Sequence, residues 1–186
     1  FTIAIGSNSE ATGSRSLAIG YKAFASGENA AAMMVCSQAI GRNSMAFGQF
    51  SCANSDNSFA MGVDARATAV DAYAIGVNAN ATHTNGFAFG TYSNAQQVNA
   101  FAVGPNAFAS GINSFAMGPN ARATGNDSFA MGVGAVADGD SSFALGDFAT
   151  DATGANDSLE TGDGATVQSS NASAFGTQSR VWTGAT

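Results

Sequence analysis

Basic residues are what this sequence is shortest of. Six Lys and Arg stand against thirteen Asp and Glu, a net charge of −7. So few cations argue against a nucleic-acid partner, because nothing neutralises a run of phosphates. Charge of either sign is scarce, at 10% of residues against about a quarter in ordinary globular chains. The long Glu, Lys and Leu runs of helical proteins are missing with it. No stretch reaches 18 consecutive apolar residues, so no transmembrane helix and no membrane contact is expected of this segment, and no signal-peptide pattern is visible. The one His, His83, stands where other repeats have Gly and reads as an exposed turn residue. No Ser–His–Asp or metal-ligand spacing surrounds it, so the sequence offers no catalytic, cofactor-binding or metal site. There are two Cys, Cys36 and Cys52. One repeat plus two strand steps would set their Cα atoms roughly 8 Å apart, beyond disulfide reach, so free or interchain thiols are expected.

What is present is Gly (23 residues), Phe (14) and an apolar fraction of 45% rich in Ala. Low charge combined with aromatics argues against disorder. The stretch "NSFAMGPNARATGNDSFAMG", Asn113 to Gly132, holds the same phrase twice at an interval of fourteen. With the Gly of each such phrase as position zero, the series is Gly6, Gly20, Gly48, Gly62, Gly76, Gly90, Gly104, Gly118, Gly132 and Gly146. Met34 stands at the midpoint of the one double step. Gly162 and Gly176 follow after a two-residue insertion within 147–162, giving thirteen units over residues 1–186, read as a single repeat domain.

Other columns are equally regular. Two residues before the Gly, Ala recurs from Ala4 to Ala144, and five after it from Ala11 to Ala137. Asn or Asp precedes the next phrase at Asn43, Asn57, Asp71, Asn99, Asn113 and Asp127. Both prolines, Pro105 and Pro119, directly follow the Gly. Each unit therefore holds two short alternating stretches, "SFAM" and "ARA", separated by turn residues. One unit is too small to fold alone, whereas stacked units pair each strand with its counterparts above and below. The expected fold is all-β: a parallel β-roll or β-solenoid of about thirteen 14-residue coils, a rod of roughly 60 Å at ~4.8 Å per coil. A helical solenoid is disfavoured by two Gly per unit.

Alternation puts bulky residues on one side of the first strand and Ala on the other. Either face can point into the roll, leaving the opposite one as a continuous apolar stripe. Such a stripe marks an association surface, best closed by cyclic symmetry. The residues expected in the core or at an intersubunit seam are Phe59, Ala60, Met61, Phe87, Ala88, Phe89, Phe115, Ala116, Met117, Phe129, Ala130 and Met131.

These columns resemble the head repeat of trimeric autotransporter adhesins, the YadA-like head, over essentially the whole chain. The resemblance implies a left-handed roll, a parallel homotrimer around a threefold axis, and an extracellular place on the bacterial surface. It also implies a non-enzymatic adhesive head that binds host-surface or extracellular-matrix ligands. The chain departs from the family pattern in using Phe where Val or Leu is usual. The same repeats resemble segments of trimeric phage and viral fibres, the competing reading. The chain opens on Phe1 with the repeat under way at Ile3, and reads as a piece of a longer product.

Three surface features complete the inventory. Eight acids and no Lys or Arg lie between Asp127 and Asp163. They read as solvated loops, with a cation site at Asp147, Asp151, Asp157 or Asp163 as the alternative. Phe24, Phe108 and Val136 interrupt the otherwise polar outward column of the second strand and are candidate ligand contacts. An ice-binding array would need unbroken Thr, but Ile40, Asn54 and Gln96 interrupt the column of Thr12, Thr68, Thr82 and Thr124.

Overall fold

A computed structural model describes residues 1–151 and 155–182, in two compact units, Phe1–Ser93 and Asn94–Thr186. All regular structure among the described residues is β, in about thirteen coils of one three-residue strand and one two-residue strand each. In the first unit the longer strands run from Ile3–Ile5 to Phe87–Phe89 and the shorter from Glu10–Ala11 to Asn80–Ala81. In the second they run from Phe101–Val103 to Ser173–Phe175 and from Asn94–Ala95 to Arg180–Val181. Within each unit longer strands pair only with longer and shorter only with shorter, always parallel.

The register shows what the fourteen-residue interval does. Ile3 faces Leu17, Tyr73 faces Phe87 and Phe115 faces Phe129, each the same column one coil on. Strand amides thus find carbonyls in the adjacent coil, as Leu17 N does at Ala30 O (2.9 Å). Strands of two or three residues have no independent stability; the ladder supplies it.

The two turns of a coil close by a bond from residue i+3 to residue i, as from Ser9 N to Gly6 O and from Ser16 N to Gly13 O, and most coils repeat it. The third residue of each has positive φ: Asn8 (57°) and Arg15 (59°) in the first coil, Asn106 (57°) and Asn113 (55°) later. This is the type II arrangement, which favours Asn in the left-handed place and Pro just before it. Pro105 and Pro119 occupy that earlier place. Their neighbours Asn106 and Asn120 carry the positive φ.

The repeat glycines themselves lie at φ between 125° and 148° from Gly6 to Gly146, a region closed to side chains. Space closes it too, since a Cβ on Gly48 would come within 2.2 Å of Gly62 O. Met34 alone fills this column with a side chain, at φ 99°, yet its strand Ala31–Met33 stays in register with Leu17–Ile19. The coil survives the loss of its Gly.

The choice left open by alternation falls one way. The Ala of the longer strands points inward: Ala60, Ala88, Ala116 and Ala130 are all 0% exposed. In the first unit every buried residue is Ala, Ser or Gly. Buried serines need a partner for the hydroxyl, and all but Ser158 find it three residues back, as Ser44 Oγ does at Gly41 O (2.6 Å) and Ser114 Oγ at Gly111 O (2.6 Å). Ala and Ser therefore exchange freely in these columns. In the first unit nothing larger is buried between the two strands of a coil.

Candidate functional site

With Ala inward, the bulky residues of the longer strands face outward. They stand in two columns, one residue and three residues before the Gly. In the first unit the inner of these columns reads Ile5, Ile19, Met33, Phe47, Met61, Ile75, Phe89; in the second it reads Val103, Met117, Met131, Leu145, Thr161, Phe175. Neither column holds a charged residue at any coil. Met61 is 43% exposed and Phe89 47%, while Phe59, Phe87, Phe115, Met117, Phe129 and Met131 are half-buried by the side chains stacked on them. Of the twelve expected core or seam residues, the four alanines are thus core and the eight large ones form an outward face.

The rings of that face pack on one another along each unit. In the first, Phe47 meets Phe59 edge-on at 5.9 Å, and Phe59, Tyr73 and Phe87 follow tilted at 6.3 and 6.2 Å. In the second, Phe101, Phe115, Phe129 and Phe143 stack face to face, 4.6 to 4.7 Å apart with planes within 5°. Parallel in-register strands put identical side chains directly above one another at this spacing. Each aromatic pair contributes about 0.5–1.5 kcal/mol beyond its buried area. The rings of the face are thus packed against one another within each unit. Prior ordering of large apolar side chains lowers the entropic cost of covering them.

The opposite face is polar and mixed. The outward column of the shorter strands holds Arg66 and Arg122, exposed, with Asn80 and Asn94 half-buried. The apolar members Phe24, Phe108 and Val136 are half-buried in it, and the Arg122 guanidinium lies 5.4 Å from the centre of the Phe108 ring. Cys36 and Cys52 are free and half-buried. They line an open groove of about 600 Å³ with Phe50, Val63 and Arg66, and burial pushes the Cys52 thiol above its ordinary range. At the edges, side-chain amides form ladders, from Asn29 through Asn43 and Asn57 to Asp71 and from Asn99 through Asn113 to Asp127, with links of 2.8 to 3.1 Å. His83 is exposed, its Nδ1 3.0 Å from Thr82 Oγ1.

The acidic stretch needs a correction. Asp147 and Asp163 are exposed and accept bonds from the amides of Val133 and Asp147, and Asp157 is an exposed turn residue at φ 54°. Asp151 is not with them: it is buried, 1% exposed, where other coils have Ala. The four therefore do not form one site. Among the described residues no three or more His, Cys, Asp or Glu are placed to hold a metal ion by themselves.

The sequence reading missed Glu160. It is 0% exposed, and burial, with the Asp151 charge next, pushes its carboxyl up to about 7. The signal was in the columns. "LETG" puts Glu160 two residues before Gly162, in the Ala column, but the acids were read as a loop across the insertion.

The family model for the YadA head domain repeat matches residues 1–23, 11–33, 39–65, 67–93, 95–121 and 123–149. The chain belongs to the YadA head family. Its repeat is a structural adhesin element, and the matches stop at residue 149, just before Asp151. Comparison with curated proteins gives no significant match.

Proposed function

We propose that this YadA-type head works as a parallel homotrimer whose seam is the outward Phe and Met face of the longer strands. The mixed face of the shorter strands is then left to meet extracellular-matrix or host-surface ligands, without catalysis, at the bacterial surface. One observation carries the reading: two outward columns without a charge, ordered and partly exposed in every coil. Left open, such a face would aggregate. Closure around a threefold axis covers it with identical copies of itself.

The test is the solution mass by light scattering after size exclusion, with and without reductant. The expected mass is three times the 18.5 kDa of the chain, unchanged by reductant. Phe115→Asp with Phe129→Asp should reduce it to that of one chain while the far-ultraviolet circular dichroism keeps its strand signal. A monomeric parent protein would defeat the proposal. Trimers that dissociate only on reduction would assign the assembly to Cys36 and Cys52 instead.

A further inference from the structure

Three departures from the repeat meet at one place in the second unit. Asp151 stands five residues after Gly146 and Glu160 two before Gly162, both in columns that are otherwise Ala in most coils. Between them the parallel register steps from fourteen to sixteen: Val136 faces Thr150, but Phe143 faces Leu159. Two acids thus enter the core where the coil lengthens.

The donors that act on them are all neutral: the Gly139 and Glu160 amides and the Ser142 and Ser158 hydroxyls. Asp151 Oδ2 accepts the Gly139 amide. Asp151 Oδ1, both carboxyl oxygens of Glu160 and the Ser158 hydroxyl find no partner among the described residues. The three residues are 1%, 0% and 2% exposed. Asp151 and Glu160 are buried on the consecutive strands Thr150–Asp151 and Leu159–Thr161, which pack against each other, with Ser158 buried just before the second. The Asp151 charge acts on Glu160 and the Ser158 hydroxyl on both carboxyls. Among the described residues the only other charge acting on the pair is also negative, that of Asp138 on Asp151. No Lys or Arg occurs between Arg122 and Arg180.

Buried carboxylates without a counter-charge are among the most expensive groups a protein can hold. Two of them facing each other in a core of Ala call for something positive between them. The ligands on offer are all hard oxygens, and two carboxylates balance a charge of two.

We infer that Asp151, Glu160 and Ser158 form an internal site for a divalent cation of the calcium class. Such an ion takes carboxylate, hydroxyl and carbonyl oxygens at about 2.3–2.6 Å in flexible geometry. Bound there, it satisfies four orphan oxygens at once and fastens the lengthened coil to its neighbours. It stabilises the folded chain through mass action, because the ligands come together only on folding.

The experiment compares the chelator-treated protein with and without calcium chloride at pH 7.5, by isothermal titration and thermal unfolding. One saturable site per chain is expected, with a rise of several degrees in Tm at about a hundredfold excess over Kd. Asp151→Ala with Glu160→Ala restores the residue of the other coils, so this variant folds, and it should lose both responses. Calcium binding undiminished in that variant would overturn the proposal and assign the ion to exposed acids. So would a parent protein indifferent to calcium whose stability falls as pH rises from about 4.5 to about 7. That profile would mean the two carboxyls share a proton instead.

Discussion

The two units satisfy the same repeat with opposite uniformities. Inside, the first is the stricter: its buried residues are all Ala, Ser or Gly. The second admits Asp151, Glu160 and Val167, beginning where the register steps to sixteen. Outside, the second is the stricter, with four Phe stacked at 4.6 to 4.7 Å where the first mixes Phe and Tyr at 5.9 to 6.3 Å. The inner columns are limited by the width of a two-strand coil, and larger groups enter only from the lengthened coil onward. The outer columns are limited only by the coil above, so any flat or flexible apolar group serves, and a run of Phe serves best.

The sharpest test of this contrast moves an acid from one unit to the other. Ala74→Glu puts a carboxylate into a fourteen-residue coil with no room and no counter-ion. The expected loss exceeds about 4 kcal/mol, read from the denaturant midpoint. A loss under about 1 kcal/mol would mean that the coil width is not the constraint. Carrying only bulk across is milder: Ala81→Val, in the column of Val167, should cost about 1–3 kcal/mol by overpacking.

The outer difference is tested by Phe115→Leu, which breaks two stacked pairs and should cost about 1–3 kcal/mol. Tyr73→Leu, in the tilted series, should cost less when both are compared by thermal unfolding. Equal losses would mean that stacking adds nothing to area burial. Within the first unit, Met34→Gly relieves a side chain held at φ 99°, and a gain of about 1 kcal/mol is expected. The smallest effect belongs to the exposed Arg42–Asp56 pair (2.9 Å). The Arg42 amide holds the Asp56 carboxyl below its ordinary 3.8, so this contribution is present above that value and fades as pH falls through the lowered one. Asp56→Asn should flatten the acid limb of the stability profile slightly; an unchanged limb would remove Asp56 from it.

Much of this was legible in the residues. Period, strand positions and turn positions follow from Gly, Asn and Pro columns, because parallel stacking makes each column a physical ladder. That Cys36 and Cys52 are not bridged to each other followed from the same geometry. The buried acids were not legible as such, although both stand in Ala columns: the insertion obscured their register, and a run of eight acids resembles solvated loop.

By itself the sequence determined the coil, its length and the fact that one strand has a bulky side and a small side, since alternation and turn chemistry are local. Only the tertiary structure decided which side is inside. Both sides are apolar, so hydrophobicity does not choose between them; the choice comes from the narrow gap between two strands of one coil, which admits Ala and turns Phe and Met outward. Asp151 and Glu160 enter that core at the coil whose register steps to sixteen.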